Sequence, residues 1–554
     1  MHQYSELLQT ILGKRGINTL AEAEVFLDPD YDRDLHDPFK MKDMEKACVK
    51  LFEVIDNKEK TIIYADYDCD GIPGAVIIQD LFKKIGYTNY EVYIPGRNSE
   101  GYGLNITAVE QFIKKGVKLL ITIDLGITAV EEVAQAEIEG INVIITDHHL
   151  PHAILPRAYA ILNPKVDDYP EKMLCGAGVA FKFVQGFIKK YGEFYKINEG
   201  WEKWLLDMTG LSTLSDLVPL LGENRAISYF GMKVLRKSPR PGLQKLLAKM
   251  KIDQKYLTED DVGFMIAPRL NAASRMDDPM KSFELLSGSD EVQAGIVADH
   301  LSKINDDRKT IVTSIMREIN KKLEKSSIRE MREVIVIGNP EWRVGVLGLV
   351  AGKIVENHKK PVFVWGKDEN DLIKGSCRSD GTVSLVELMT ETKEFFTDFG
   401  GHEFAGGFTA DAEKIHFLEE ALSTSYHKVK RDKVETEIIY DVKSDLSAVN
   451  MKNYHELERL APFGLANPKP VFLFEGVKIE KIKKFGKNGS GEHLEITFSD
   501  VSKKTVKAVS FFSNNESFQI PLSEGIKVNL LATFDLSRFG GKVELRLRVD
   551  DIIK

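Results

Sequence analysis

The sequence predicts an α/β protein with a parallel-sheet domain, a long connecting helix, a second smaller α/β lobe and a C-terminal β-barrel or sandwich. Between residues 59 and 164, short apolar runs alternate with helical stretches, as in a doubly wound parallel sheet. After residue 437, about five strand-like runs separated by turn residues indicate a small β-domain. A chain of 554 residues is also too long for one hydrophobic core.

The predicted elements follow in chain order after a helical, polar stretch of 45 residues. The strands of the parallel sheet are TIIYAD, YEVYIP, LLITID, NVIITD and YAILNP, with a helix after each of the first three. Between residues 279 and 324, an apolar side chain recurs every fourth position from Ile311 to Leu323. This spacing predicts one long amphipathic helix that joins two lobes. A second α/β unit then begins with the strands VIVIG and PVFVW.

Changes in composition and periodicity divide the chain into five predicted segments. They are an N-terminal helical segment (1–45), the parallel-sheet catalytic domain (46–235), a helical connector with the long helix (236–330), the second α/β lobe (331–432) and the β-domain (433–554).

Composition argues against several classes of protein. Hydrophobic residues at 43% and charged residues at 29% are typical of a globular protein. We see no apolar run near the roughly 18 to 20 residues that a membrane-spanning helix needs, and no secretory signal. The four cysteines form no CxxC pair, which argues against a zinc ribbon and predicts a cytoplasmic location. The net charge of −9 argues against a general nucleic-acid-coating protein.

Three predicted strands run directly into acidic or imidazole side chains. A β-branched run that ends in such a cluster is typical of a buried parallel strand delivering its last side chains to the carboxyl edge of a sheet. The residues gathered there are Asp66, Asp68, Asp70, Asp124, Asp147, His148 and His149. Because so many carboxylates repel one another, a pair of divalent cations is the simplest explanation. We therefore predict a metal-dependent enzyme.

These motifs also occur in proteins without a catalytic metal. The DxDxD spacing places Asp66, Asp68 and Asp70 on one side of an extended segment, but it is found in acidic surface turns and calcium loops as well. An EF-hand loop would need a glutamate where Ile77 stands. A single histidine is more often structural than metal-binding, whereas oxygen and imidazole ligands together suit Mn²⁺, Fe²⁺ or Zn²⁺.

The motifs DYDCDG, TIDLGI and TDHH resemble those of the DHH phosphoesterase superfamily, and LSTLSDLVPL resembles its fourth motif, which nominates Asp216. Further along, APRLNAASRM, GSCRS, FGGHEFAGGF and APFGLANPKPVF resemble the RecJ family of single-stranded-DNA-specific exonucleases. The resemblance covers residues 60 to 550 in the family's order. It implies a DHH domain, a DHH-associated second lobe and an OB-type barrel.

The resemblance also implies roles for individual residues. The metal ligands would be Asp66, Asp68, Asp70, Asp124, His148, His149 and Asp216, with Asp147 as a further catalytic residue. The pocket for the 5′ phosphate would contain Arg97, Ser376 and Arg378. Contacts to the DNA backbone would come from Arg269, Asn271 and Arg275, with Gly401 and His402 opposite the metals.

Without the resemblance, purely structural roles are favoured for the motifs RLNAASR and GSCRS and are equally compatible with His402. RLNAASR fits a helix of structural arginine pairs, GSCRS fits a plain turn, and His402 fits a structural histidine. Tyr102 stacks on a base or simply packs.

The implied function is a metal-dependent exonuclease that degrades single-stranded DNA 5′→3′ to nucleoside 5′-monophosphates in DNA repair and recombination. Its cofactors would be two Mn²⁺ or Mg²⁺ ions. The implied partners are single-stranded DNA, a RecQ-type helicase and a single-strand-binding protein, and we expect a monomer that needs no membrane. One alternative is a phosphoesterase for short oligonucleotides or cyclic dinucleotides, which would not need the barrel. Another is a non-catalytic single-stranded-DNA-binding replication factor, which would retain DNA without cleaving it.

Overall fold

Two structural units make up the chain. The computed structural model describes residues 3–97, 99–324, 332–431, 440–486, 493–515, 517–538 and 542–554. One unit comprises residues 36–218 and 230–435, and the other comprises residues 1–35, 219–229 and 436–554. The predicted segment boundaries at residues 330–331 and 432–433 lie outside the described residues.

The larger unit begins with a five-stranded parallel sheet, as predicted. Its strands are β1 (Thr61–Ala65), β2 (Tyr90–Tyr93), β3 (Leu119–Ile123), β4 (Asn142–Thr146) and β5 (Ala160–Leu162). They lie in the order β2-β1-β3-β4-β5, and β1 and β3 are fully buried. The helices of this domain are Met44–Asp56, Gly71–Ile85, Ile106–Lys114, Val130–Ile138 and Gly176–Tyr191. Burial on both faces explains why β1 and β3 are nearly continuous apolar runs.

Helices then dominate up to the second lobe. They are Leu206–Ser215, Gly222–Leu235, Pro241–Met250, Glu259–Asp261, the π-helix Val262–Ile266, Ala267–Met276, Met280–Ser287 and the connecting helix Glu291–Glu324. The prediction of one helix from residue 279 to 324 is therefore wrong. Gly288 adopts an extended conformation that ends the first helix, and the Asp290 side chain accepts the Gln293 amide at 2.7 Å to begin the second.

The second lobe is a mixed five-stranded sheet. Its strands are β6 (Ile335–Gly338), β7 (Val362–Lys367), β8 (Ile373–Arg378), β9 (Phe396–Gly401) and β10 (Ala405–Ala410), in the order β6-β7-β8-β10-β9. Its helices are Leu347–His358, Leu385–Glu391 and Leu418–Val429. Only β6 and β7 are parallel. Four residues of the GSCRS motif lie in β8, which excludes a plain turn there.

The smaller unit contains a closed five-stranded barrel, which decides between barrel and sandwich. Its strands are β11 (Val442–Ser444), β12 (Phe472–Phe485), β13 (His493–Ser499), β14 (Thr505–Phe511), β15 (Lys527–Ser537) and β16 (Glu544–Ile553). The order β12-β13-β14-β16-β15 closes because β15 also pairs with β12, and β11 lies beside β12. The α-helices of this unit are Glu6–Lys14, Leu20–Leu27, Tyr31–Asp34 and Met451–Glu458, with the first part of Gly222–Leu235. The first two share the barrel's hydrophobic core. Among the described residues, no helix is both long and apolar enough to span a membrane.

Substituting Gly242 with alanine tests the packing between the helices Pro241–Met250 and Met280–Ser287. A Cβ at this buried position would lie 1.7 Å from the Leu285 carbonyl oxygen, which is backbone and cannot move aside easily. We expect Gly242→Ala to lower the free energy of unfolding by about 1–3 kcal/mol in urea denaturation. Gly295→Ala is the control, since its Cβ meets nothing within 4 Å and should be neutral or stabilising. Equal destabilisation by both variants would contradict this packing.

Candidate metal centre

The carboxyl ends of β1, β3 and β4 place their polar side chains at one edge of the parallel sheet. Asp66, Asp68 and Asp70 follow β1 directly, Asp124 follows β3, and the Asp147-His148-His149 run follows β4. A fourth contribution comes from Asp216, which ends the helix Leu206–Ser215. The predicted convergence of these side chains is therefore observed.

Three overlapping groups of side chains are arranged to hold metal ions. Within each group, one ligand atom per residue lies within 4.8 Å of the others. The groups are Asp66, Asp68 and Asp124; Asp124, His148 and His149; and Asp70, His148 and Asp216. His148 links two of them, because its Nε2 lies 3.1 Å from Asp124 Oδ1 and 3.8 Å from Asp216 Oδ2. Oxygen and imidazole donors in overlapping groups suit more than one divalent cation.

Burial and mutual repulsion disfavour the charged forms of these carboxylates. Burial raises the pKa of Asp66 and of Asp124 well above the ordinary value, and the charges of Asp68 and Asp70 respectively raise them further. For Asp68 the same two causes, burial and then the charge of Asp70, raise the pKa. Burial and the charges of Asp70 and Asp68 raise the pKa of Asp216 to about 9. Such a site needs positive charge before its carboxylates can ionise together.

Unpartnered polar atoms show that the residues fit a metal ion. Among the described residues, the buried atoms Asp66 Oδ1 and Asp124 Oδ1 have no hydrogen-bond partner. Asp124 Oδ1 lies close to His148 Nε2 without a hydrogen bond between them. Burial lowers the pKa of His148, which favours the neutral imidazole that binds metals. A carboxylate oxygen and an imidazole nitrogen 3.1 Å apart are close enough to bind the same cation.

Backbone geometry fixes the ligands in place. Asp70 accepts the amides of Gly176 and Ala177 at 2.6 and 2.8 Å, at the N-terminus of the helix Gly176–Tyr191. Asp68 accepts the Asp70 amide at 2.8 Å. Asp124 adopts a φ of +61°, an unfavourable backbone conformation at the end of β3. These contacts hold the carboxylates close together in spite of their repulsion.

Asp147 belongs to none of the three groups and has a different role. Its carboxylate accepts the Ile127 amide at 2.9 Å and lies 2.8 Å from His149 Nδ1. Although burial would raise the pKa of Asp147, the hydrogen bond and charge of His149 lower it below the usual range. A carboxylate on one ring nitrogen orients the other nitrogen toward a metal. Asp147 is thus placed to position His149.

The residues predicted to bind phosphate lie beside this centre. The charges of Arg97 and Arg275 both act on Tyr67, and the Arg97 guanidinium lies 5.1 Å from the centre of the Tyr67 ring. Burial and the charges of Arg97, Arg308 and Arg378 lower the pKa of Arg275 to about 9, whereas Asp68 opposes this shift. In the second lobe, Arg378 Nη1 donates to Ser376 Oγ at 3.2 Å.

Of the remaining predicted residues, Tyr102 contacts the metal centre, whereas Gly401 and His402 lie in a hairpin of the second lobe. Tyr102 is 53% exposed, and its hydroxyl lies 3.4 Å from the Asp124 carbonyl and 3.3 Å from His149 Nδ1. Gly401 and His402 form the β9–β10 hairpin, where the His402 amide donates to the Ala405 carbonyl at 2.8 Å. Within the described part of the chain, we find no hydrogen bond or ion pair between the exposed His402 side chain and the carboxylates.

Two residues near the metal centre were missed in the sequence. Asn163 Nδ2 donates to the His149 carbonyl at 3.0 Å, and Lys165 Nζ donates to the His148 carbonyl. Burial lowers the pKa of Lys165. Both residues follow β5, so the strand-end rule that found the carboxylates would also have indicated them.

Comparison with known proteins places the chain in a family. Family profiles match the DHH family N-terminal domain over residues 60–211, the DHHA1 domain over 331–428 and the RecJ OB domain over 440–551. The single-stranded-DNA-specific exonuclease RecJ of Bacillus subtilis (strain 168) is 32% identical over 550 residues, which cover 98% of this chain and 67% of that protein. The chain belongs to the RecJ family of single-stranded-DNA-specific exonucleases.

Two further RecJ proteins support this assignment. The RecJ exonuclease of Haemophilus influenzae (strain Rd) is 29% identical over 529 residues, covering 93% of this chain and 91% of that protein. The crystal structure of RecJ in complex with Mn²⁺ from Thermus thermophilus matches with a TM-score of 0.82 and 25% identity, covering 100% of this chain and 76% of that one. The predicted family, its class of enzyme and the three-part RecJ architecture are confirmed.

Gly176 offers a test of how the RecJ ligands are held. A Cβ on Gly176 would lie 2.5 Å from Asp124 Cβ and push this carboxylate away from His148. We expect Gly176→Ala to weaken Mn²⁺ binding about 10- to 100-fold in calorimetric titration, as for the loss of other residues that orient ligands. Gly178→Ala is the matched control, because its Cβ would make ordinary contacts of 3.5 Å with Cys175 and Leu174. Unchanged Mn²⁺ affinity in a folded Gly176→Ala protein would refute this.

Proposed function

We propose that this chain hydrolyses single-stranded DNA stepwise from its 5′ end with two divalent cations and releases nucleoside 5′-monophosphates. The observation that carries the proposal is the convergence of three strand ends and Asp216 on overlapping metal-binding groups beside a cluster of arginines. Relatives named single-stranded-DNA-specific exonucleases support the substrate class. The 5′→3′ direction and the mononucleotide product are the finer part of the proposal.

The carboxylates and histidines would divide between two cations. Asp66, Asp68 and Asp124 would hold one ion, and Asp70, His148 and Asp216 the other. His149 would join them from the side of Asp124, with Asp147 fixing its ring. When bound, Mn²⁺ or Mg²⁺ supplies the charge that activates water and stabilises the leaving oxygen of a phosphodiester.

Arginine placement supports recognition of the 5′ end. Arg97, Ser376 and Arg378 would bind the terminal phosphate, since the guanidinium fork matches phosphate oxygens. Gly348 leaves room for this contact, because a Cβ there would lie 3.0 Å from Arg378 Nη2 and 3.1 Å from Ser376 Oγ. A phosphate held there and a scissile bond at the carboxylates would set both the direction and the step length.

Exposed side chains would guide the strand without reading its sequence. Tyr102, half-exposed beside Asp124 and His149, would stack on a base, which every base permits. Arg269, Asn271 and Arg275 would contact the DNA backbone, together with Gly401 and His402 of the β9–β10 hairpin. Contacts of this kind position nucleic acid but carry little base information.

A cytoplasmic location belongs to the proposal, because all four cysteines are free and buried, as expected in a reducing compartment. The monomeric state and the helicase and single-strand-binding partners stay predictions. Neither alternative function is favoured by a specific observation. A phosphoesterase for short substrates would not need the barrel, and a non-catalytic factor would not need the complete carboxylate and histidine set.

End-labelled single-stranded DNA tests the direction and the product. In Mn²⁺, 5′-labelled DNA should release labelled mononucleotide from the first time point, whereas 3′-labelled DNA should shorten progressively. Asp68→Ala should slow the degradation of both substrates about a thousandfold, because one of the proposed ligands of the catalytic metal ions is lost. Glu131→Ala, which removes an exposed carboxylate of the same domain, should leave the rate unchanged. Labelled products longer than one nucleotide from the 5′ end would refute the proposed step.

Arg378→Gln tests the 5′-phosphate pocket. The wild type should cleave 5′-phosphorylated DNA at higher kcat/KM than 5′-hydroxyl DNA. In the variant the ratio of these two kcat/KM values should be about tenfold smaller, because a hydrogen bond to a charged group contributes about that much. Lys353→Gln is the control, an exposed cation of the helix Leu347–His358. A preference that persists in Arg378→Gln would place the phosphate elsewhere.

A further inference from the structure

The connecting helix Glu291–Glu324 has a polar interruption in its buried face. Leu301 and Val312 are buried as the helical spacing requires. Between them on the same side lie Ser302, which is 7% exposed, and Asn305, which is fully buried. Arg308 follows one helical turn later and is half-buried. A helix that served only as a strut would carry apolar side chains at these positions.

The connecting helix packs against the helix Ala267–Met276, which carries three residues already assigned to the DNA backbone. We define the connecting-helix cluster as Arg269, Asn271, Ser302, Asn305 and Arg308. Among the described residues, six of its buried atoms lack a hydrogen-bond partner: Arg269 Nε, Asn271 Oδ1, Ser302 Oγ, Asn305 Nδ2, Asn305 Oδ1 and Arg308 Nε. Buried polar groups are nearly always paired in native proteins, so this concentration indicates a missing ligand.

Charge identifies the kind of ligand. Arg308 lies within electrostatic range of both Arg269 and Arg275, and burial together with the like charge of Arg269 lowers its pKa. Asp306 is the acidic group that opposes the effect of burial on Arg269. Guanidinium groups within electrostatic range of one another, with the Nε donors of Arg269 and Arg308 left unpaired, suit an anion with several oxygen atoms.

The position of the cluster relates it to the metal centre. The pKa of Arg275 is lowered by the charge of Arg308 and raised by that of Asp68, so Arg275 lies within electrostatic range of both the cluster and the metal centre. It also responds to Arg97 and Arg378, the residues assigned to the 5′ phosphate. A DNA strand whose 5′ phosphate is bound in that pocket and whose first phosphodiester lies at the carboxylates continues beyond them in the 3′ direction. The connecting-helix cluster could bind this continuing part of the strand.

We propose that Asn305 and Arg308 of the connecting helix, with Arg269 and Asn271, bind a DNA phosphate on the 3′ side of the scissile bond. Asn305 Nδ2 and the guanidinium groups donate to its oxygens, and Ser302 lines the site. The connecting helix is then part of the substrate grip as well as a link between lobes. This inference rests on the proposed function, because the direction of the strand comes from it.

Substrate length tests the inference. A 5′-phosphorylated dinucleotide has no phosphate beyond the scissile bond, whereas a 12-nucleotide strand does. In Mn²⁺, Arg308→Gln should lower kcat/KM for the 12-nucleotide strand about tenfold and leave the dinucleotide unaffected. With chelator present, so that no cleavage occurs, binding of the 12-nucleotide strand can be measured at several salt concentrations. The slope of log affinity against log salt concentration should be about 0.7 less steep for Arg308→Gln than for the wild type, as expected for one lost phosphate contact.

Two further variants make the test decisive. Arg317→Gln removes an exposed cation from the same helix and should behave as the wild type with both substrates. Asn305→Leu removes the buried amide and should also weaken the 12-nucleotide strand selectively, which covers the case in which Arg308→Gln does not fold. Should Asn305→Leu change only the melting temperature and leave length dependence intact, the cluster is structural and the inference is wrong.

The outcomes separate this inference from the proposed function. A wild type that cleaves neither substrate in Mn²⁺ would refute the proposed function. A wild type that cleaves both, with Arg308→Gln and Asn305→Leu showing the wild-type length dependence, would refute only the phosphate site.

Discussion

Repulsion between buried carboxylates is the constraint on which the rest of this structure depends. Asp66, Asp68, Asp124 and Asp216 all have raised pKa values because each is buried near other acids. Without cations, ionising them together would oppose folding of this edge of the sheet. Bound divalent cations would neutralise this repulsion and allow the carboxylates to ionise together.

The fold supplies the rigidity that this crowding requires. Parallel strands bring their carboxyl ends to one edge, and the helix that begins at Gly176 donates two amides to Asp70. Asp147 fixes His149 from behind, and Asp124 accepts an unfavourable backbone conformation. Unfavourable local energies of this kind persist only where the surrounding structure is well packed, as it is around the fully buried strands β1 and β3.

Much of this architecture could be predicted from the sequence because its signals are local. Apolar runs ending in acids marked the strands and the centre, and turn spacing marked the barrel. The break at Gly288 was missed because the helix was predicted from apolar spacing that begins only at Ile311, although Gly288 and Asp290 are ordinary signals for the end of one helix and the start of the next. Asn305 and Arg308 were not identified because they look like ordinary polar positions of a long helix, and only the folded structure shows that they carry buried polar atoms without partners. Packing between segments that are distant in the sequence cannot be predicted from the spacing of residues within one helix.

Anomalous diffraction from crystals soaked in Mn²⁺ would show whether the buried carboxylates and His148 bind two divalent cations. We expect two manganese peaks, one among Asp66, Asp68 and Asp124 and the other among Asp70, His148 and Asp216. A single peak, or manganese bound away from the carboxyl ends of β1, β3 and β4, would contradict it.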